Sequence, residues 1–201
     1  MNPLDSIKGT IISGFVLAAV LLVIVLATTT GAGGSTVTLI RWLHFLAGIT
    51  WIGLLYYFNF VQVPAIAAAN ADSGGPGAGG ITKYVAPRAL WWFRWSALLT
   101  WLAGAAYLGK NFTQAFTLGL MEGGTTYHTT IGIGAWLGTI MLFNVWVLIW
   151  PNQKKILGMV PASDEEKARG RRVAALASRT NTLLSIPMLL FMAGASHGLP
   201  F

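Results

Sequence analysis

The chain has 201 residues, of which 55% are hydrophobic and only 9% are charged, and its formal net charge is +7. Nine tryptophans and a mean hydropathy of +0.64 exclude an ordinary soluble globular domain. The absence of cysteine excludes a disulfide, a thiolate metal site, an iron–sulfur cluster and covalent c-type haem attachment in this chain.

Five stretches are long and apolar enough to cross the hydrocarbon core of a bilayer, which takes about 20 helical residues. They lie near residues 9–29, 37–66, 87–109, 127–150 and 172–195. The first could be read as a signal peptide, but its apolar run is too long and no small-residue cleavage site followed by a soluble domain appears, so we interpret it as a membrane helix. The sequence therefore predicts an all-α membrane protein, a bundle of five transmembrane helices forming a single domain over residues 1–201.

Basic residues are concentrated on one side of these spans. They are Lys8 in the N-terminal tail, Lys83 and Arg88 near the second connection, Arg94 and Arg179 where helices enter from that side, and Lys154, Lys155, Lys167, Arg169, Arg171 and Arg172 in the fourth connection. Only Arg41 and Lys110 fall on the opposite side. The positive-inside rule then makes the N-terminus cytoplasmic and the C-terminus periplasmic. The orientation of the spans in the membrane explains the excess of positive charge, and contact with anionic lipid is an additional option. The positive charge is therefore no evidence for nucleic-acid binding.

The connections carry their own local signals. A glycine-rich run, 72–80, predicts a flexible cytoplasmic linker over about 70–82. Residues 111–126 are expected to form a longer outer loop. Ser163 and Glu166 have the spacing of a capping box, which predicts a helix that begins in the cytoplasm before the last span. Pro187 is expected to kink that helix.

Polar and aromatic residues mark the cytoplasmic ends of the helices. The tryptophans there are Trp91, Trp92, Trp95, Trp146 and Trp150. Interfacial anchoring is the first interpretation of these rings, and a platform for a substrate or quinone is the second. A polar network tying three helices together is expected from Arg94, Asn144, Arg179 and Asn181.

The three histidines, His44, His128 and His197, each lie near the end of a different span, and threading places all three ends on the outer side. Imidazole is the usual protein ligand of haem iron and of many transition metals. His44 is the strongest candidate, because an ionisable group inside a span is costly. His128 could instead cap or bond a neighbouring helix, and His197 could be an exposed loop residue. A copper or zinc site of three imidazoles is a further option.

Two glycines sharpen the prediction of a cofactor site. Gly48 follows His44 by four residues and Gly132 follows His128 by four, so each glycine shares a helix face with its histidine. Glycine would leave space for a porphyrin beside an axial histidine, and close helix packing is the alternative. Arg41, one turn before His44, could pair with a haem propionate or extend to the outer interface.

Several strings resemble a known family. They are Arg41 to Gly53, Lys83 to Pro87 with Trp92 to Trp95, Asn144 to Lys154, Arg179 to Leu190, and Ser196-His197. Together they resemble the membrane domain of bacterial membrane-bound urate oxidases, or urate hydroxylases, over most of residues 38–198. This chain looks like a shortened form of that domain, lacking central helices and the periplasmic cytochrome c tail. The resemblance implies functional histidines at His44, His128 and His197.

These observations predict a multi-pass b-type haem protein or subunit of the bacterial inner membrane. Haem b is expected between the second, fourth and fifth spans near the periplasmic face, with His44 as first ligand and His128 or His197 as second. Its partner would be a periplasmic cytochrome c or a larger respiratory complex. The alternatives are a urate-oxidase-like membrane hydroxylase acting on a purine, and a non-catalytic accessory subunit of a larger membrane complex.

Overall fold

The computed structural model of the chain describes residues 2–29 and 35–199, and within these ranges it is helical, with no strand. The α-helices are α1 Ile7–Thr28, α2 Thr36–Tyr56, α3 Val63–Ala71, α4 Ala86–Leu108, α5 Phe112–Phe116, α6 Thr126–Phe143, α7 Trp150–Ile156 and α8 Asp164–His197. The chain divides into two compact units, residues 1–39 and 40–201. In the first, Ser6 caps α1 by accepting a hydrogen bond from the Gly9 amide.

Two π-helical segments join α-helices into longer rods, and a third extends the start of α4. They are Tyr57–Gln62 between α2 and α3, Ile81–Val85 before α4, and Asn144–Ile149 between α6 and α7. A proline lies two residues after the end of each segment, at Pro64, Pro87 and Pro151. Proline has no amide hydrogen, and its ring crowds the carbonyl four residues earlier. A widened turn just before the proline lets the helix continue past it.

Four of the described helical rods are long and apolar enough to cross a membrane: Ile7–Thr28, Thr36–Ala71, Thr126–Ile156 and Asp164–His197. The third predicted span is also a helix, α4, but it is not among these four. It contains four tryptophans and the cations Arg88 and Arg94, which lower its hydropathy. These four rods indicate a membrane protein, but they do not establish the predicted fifth span.

The core of the second unit lies where α2, α4, α6 and α8 meet. Leu55, Ala97 and Met141 are completely buried, and Phe58 packs edge-on against Phe93 with ring centroids 5.4 Å apart. Gly134 lets α6 approach α8, because a Cβ at this position would lie 3.1 Å from Met192 Cγ. The core therefore combines large apolar side chains with close backbone contact at glycine, as helix packing in membranes commonly does.

Part of the expected polar network is present. Asn144 Nδ2 donates to Asn181 Oδ1 at 2.8 Å, and Asn181 Nδ2 donates to the Met141 carbonyl at 3.0 Å, so the two asparagines join α6 to α8. Arg94 stacks on Trp150 instead of joining them, and Arg179 is exposed. The predicted capping box is confirmed: Ser163 and Glu166 bond each other's backbone at the start of α8, which continues through Pro187.

Candidate functional site

The imidazole of His44 projects from α2 onto α4. Its Nδ1 lies 2.8 Å from the carbonyl oxygen of Thr100. A carbonyl can only accept a hydrogen bond, so Nδ1 carries the hydrogen, and the neutral ring keeps its lone pair on Nε2. Histidines that bind metals usually hold their second nitrogen in this way, against a carbonyl or carboxylate. The local chemistry of His44 therefore fits an iron ligand acting through Nε2.

Gly104 makes the room that this ring occupies. A Cβ built on Gly104 would lie 2.9 Å from His44 Cε1 and 3.0 Å from Nδ1. The space at Gly104 and the hydrogen bond to Thr100 are linked. Within the helix, the Thr100 carbonyl accepts a hydrogen bond from the amide of residue 104, and the imidazole uses the second lone pair of the same carbonyl. Gly48 faces the same helix, since a Cβ there would lie 3.7 Å from Thr100 Cγ2.

Thr100 and Gly104 were not anticipated from the sequence, although they form the surface against which His44 rests. The only signal for them was a threonine followed by a glycine four residues later in the third predicted span, which places both on one helix face. The expected neighbours of His44 were the fourth and fifth spans. The hydrogen bond goes instead to α4, the third.

His128 has a capping role at the start of α6. The Thr125 amide donates to His128 Nδ1 at 3.2 Å, so Nδ1 is an acceptor. His128 Nε2 lies 3.4 Å from Asn111 Oδ1, where it acts as the donor. Both ring nitrogens are therefore engaged in this arrangement. This is the cap that the sequence left open as an alternative, and binding of iron by His128 stays a prediction.

Gly132 lies under the short helix α5. A Cβ at this position would run into the Ala115 carbonyl and would lie 3.0 Å from Leu118 Cδ2. Trp136 Nε1 donates to the Phe116 carbonyl at 3.0 Å and holds the same helix against α6. The space beside Gly132 is thus filled by this chain's own backbone, and contact between Gly132 and a cofactor stays a prediction.

His197 is the last residue of α8 and is exposed. Its Nδ1 lies 3.2 Å from the Ala193 carbonyl, one turn earlier, so Nδ1 is the donor and the neutral ring has its lone pair on Nε2. Arg41 is exposed near the start of α2. The two histidines His44 and His197 therefore share the tautomer suited to metal binding through Nε2, whereas His128 has the opposite one.

A metal site with several protein ligands would need several metal-binding side chains close together. In the described part of the chain, no group of three or more His, Cys, Asp and Glu side chains could hold a metal ion. Haem iron, by contrast, needs only one or two imidazole ligands.

A cavity of about 620 Å³ lies between the start of α6 and the end of α8. It is lined by Gly119, Gly124, Thr125, Thr126, Thr129, Thr130, Ile133, Phe191 and Leu199.

Within the described residues, the fold and these contacts define a helical protein with rods long and apolar enough to span a membrane and a histidine held between two of its helices. Residues 113–201 match the family described as Urate oxidase N-terminal, which supports a relation to urate oxidases in this part of the chain. The match includes His128, Gly132 and His197, and leaves Arg41, His44 and Gly48 outside it. No curated protein and no solved structure matches the chain.

Proposed function

We propose that this chain is a b-type haem protein, or haem subunit, of the bacterial inner membrane that transfers electrons to or from a periplasmic cytochrome c or a larger respiratory complex. The observation that carries the proposal is the hydrogen bond from His44 Nδ1 to the Thr100 carbonyl, which leaves Nε2 free to coordinate. Haem b held there would supply a one-electron Fe(III)/Fe(II) couple.

His44 and His197 are the residues that would hold the haem iron. Both donate through Nδ1 to a backbone carbonyl and keep a lone pair on Nε2. His128 would first have to give up the hydrogen bond from the Thr125 amide, because a neutral imidazole cannot offer both nitrogens as acceptors. Arg41, on the same helix as His44, is the proposed partner of a propionate.

The proposed topology has five spans, with the N-terminus cytoplasmic and the C-terminus periplasmic. The support for α4 as the additional span is its length of 23 residues and its buried residues Phe93 and Ala97, which belong to the same apolar core as Met141. The positive charges in the N-terminal tail and in the second and fourth connections support the orientation. His44 and His197 would then face the periplasm, where a cytochrome c could exchange electrons.

The second candidate is a urate-oxidase-like hydroxylase acting on a purine. The match of residues 113–201 to the urate oxidase N-terminal family favours it, and the cavity between α6 and α8 lies within that region. This activity requires that membranes carrying the protein consume urate while cytochrome c becomes reduced. Haem-loaded membranes without urate consumption would contradict it and leave the electron-transfer proposal standing.

The test of the haem proposal is a reduced-minus-oxidised visible spectrum of the detergent-purified chain, with a pyridine haemochrome assay on the same sample. We expect a stoichiometric b-type signal that is lost in His44→Ala and in His197→Ala. His128→Ala is the matched control and should keep the signal. A signal unchanged by His44→Ala would overturn the ligand assignment. A blank spectrum, together with a stable stoichiometric protein partner, would favour the accessory subunit instead.

A further inference from the structure

An apolar groove of about 510 Å³ runs between α4 and the rod formed by α6 and its π-helical extension. Its walls include Trp95, Leu98, Trp101, Leu142, Phe143 and Trp146. The polar group of Thr139, which also lines it, is occupied, because Trp101 Nε1 donates to Thr139 Oγ1 at 2.9 Å. From Trp95 to Leu102 the groove follows seven residues of helix, which is about 10 Å. It can therefore hold a hydrocarbon chain, but offers little to a polar ligand.

Two cations lie at one end of this groove. Trp95 and Trp146 close that end edge to face, with ring centroids 5.3 Å apart. Arg94 Cζ lies 6.0 Å from the Trp95 ring centroid and 3.7 Å from that of Trp150, and Lys154 Nζ lies 5.8 Å from the same Trp150 ring. The aromatic rings orient both cations by cation–π contact without neutralising their charge.

Neither cation has an acidic partner. The ion pairs of residues 2–29 and 35–199 are Lys155 with Glu166 and Lys167 with Asp164, and neither includes Arg94 or Lys154. Arginine and lysine with unused donors are the side chains that bind phosphate oxygens in proteins. The structure thus joins a phosphate-binding pair of cations to the mouth of a chain-sized apolar groove, with tryptophans at the boundary as in membrane interfaces.

We propose that this site binds one anionic phospholipid, with its phosphate between Arg94 and Lys154 and an acyl chain along the groove between α4 and α6. The site lies at the helix ends that carry most of the basic residues, which is the side where the cytoplasmic leaflet supplies anionic lipid. Only a molecule with an anionic head and a long apolar chain satisfies both parts of the site together. The lipid site is separate from His44 and His197 and does not depend on haem.

The test measures binding of phosphatidylglycerol and of phosphatidylcholine with identical acyl chains to the full detergent-purified chain, by native mass spectrometry. We expect retention of one phosphatidylglycerol. Arg94→Gln and Lys154→Gln should each weaken it about fivefold, the usual contribution of one basic residue at an anionic surface. Arg171→Gln removes the same charge from an exposed position on α8 and is the matched control, expected to leave binding unchanged.

A second variant tests the groove itself. Leu98→Trp fills the groove from α4 while both cations remain, and we expect it to reduce phosphatidylglycerol retention as well. Glycerol 3-phosphate, the free head group, should not compete. Equal binding of the two lipids, equal effects of Arg94→Gln and Arg171→Gln, or displacement by glycerol 3-phosphate would each overturn the proposal. Circular dichroism checks that each variant folds. If Arg94→Gln does not fold, phosphatidylglycerol retention by the separate variants Lys154→Gln and Leu98→Trp tests the proposal.

Discussion

At the scale of single residues, the environment of each histidine is more informative than its position in a span. His44 and His128 both lie near the starts of long helices, and both are followed by glycine four residues later. Yet the Nδ1 atom of His44 donates to another helix, whereas that of His128 accepts from the backbone of its own helix start. The two rings therefore hold opposite tautomers, and only the first leaves Nε2 as a free ligand atom.

Packing of His44 against Gly104 predicts energetic coupling between the two residues. Gly104→Ala places a methyl group 2.9 Å from the imidazole, so we expect a loss of about 1 to 3 kcal/mol, typical of overpacking. In a His44→Ala background the same substitution should cost little. A double-mutant cycle on thermal unfolding in detergent measures the coupling, and Gly48→Ala, whose methyl would make an ordinary contact, is the control.

The result is independent of whether haem is bound. Additive effects, within about 0.5 kcal/mol, would show that the ring does not rest on Gly104 and would remove the basis for choosing Nε2 as the ligand atom. Clear coupling combined with a blank haem spectrum would support the geometry and contradict the haem proposal. The two ideas can therefore fail separately.

At the scale of helices, α6 shows that glycines in one helix can have different roles. Gly132 lies against the backbone of α5, Gly134 lies against Met192 of α8, and a Cβ on Gly138 would meet nothing within 4 Å. The Gly134 and Gly138 pair has the spacing of a membrane packing motif, but among residues 2–29 and 35–199 only Gly134 of this pair makes close contact with another helix. The spacing alone cannot tell which neighbour a glycine serves, because that neighbour is distant in sequence.

Alanine substitutions separate these roles. Gly132→Ala should lower the thermal unfolding midpoint, because α5 must move away from α6 to admit the methyl group, at a cost of about 1 to 3 kcal/mol. Gly138→Ala is matched in chemistry and helix and should leave the midpoint unchanged or raise it, since alanine is the better helix former. Differential scanning fluorimetry of both variants in one detergent makes the comparison. Equal destabilisation by the two would refute the placement of α5 on Gly132.

At the scale of the whole molecule, the proposed five-span topology requires that α4 cross the membrane. The glycine-rich linker precedes α4 and the loop that contains α5 follows it, so the two connections lie on opposite sides only if α4 spans. The chain contains no cysteine, so a single introduced thiol reports its own side without a background.

Ser73→Cys marks the linker and Glu122→Cys marks the loop after α5, both at exposed positions. In intact spheroplasts we expect a membrane-impermeant maleimide to label Glu122→Cys at once, and Ser73→Cys only after permeabilisation. Labelling of both variants from the same side would exclude α4 as a span and reduce the count to four. Exchange of the two patterns would invert the topology and place the proposed ligands on the cytoplasmic side.

Several elements could be predicted because their causes are local. The helix of α8 begins after Ser163, since the side chains and amides of a capping box lie within four residues of one another. The apolar runs place the long helices to within a few residues, apart from the ends near residues 71, 156 and 164, where the helices extend further than their apolar segments. The short helix α5 between α4 and α6 is not predicted by the sequence, because five residues carry too little periodicity to identify a helix.

The sequence by itself determined that this is a helical membrane protein and where its long helices and its basic connections lie, because hydropathy, capping and charge act over one helix at a time. Only the tertiary structure decided that His44 binds Thr100 at a distance of 56 residues along the chain, that Gly104 borders the ring of His44 while Gly132 lies against α5, and that Arg94 and Lys154 share one indole. These contacts depend on which helix faces meet, and helix packing has several nearly equivalent solutions until the side chains of distant segments are brought together.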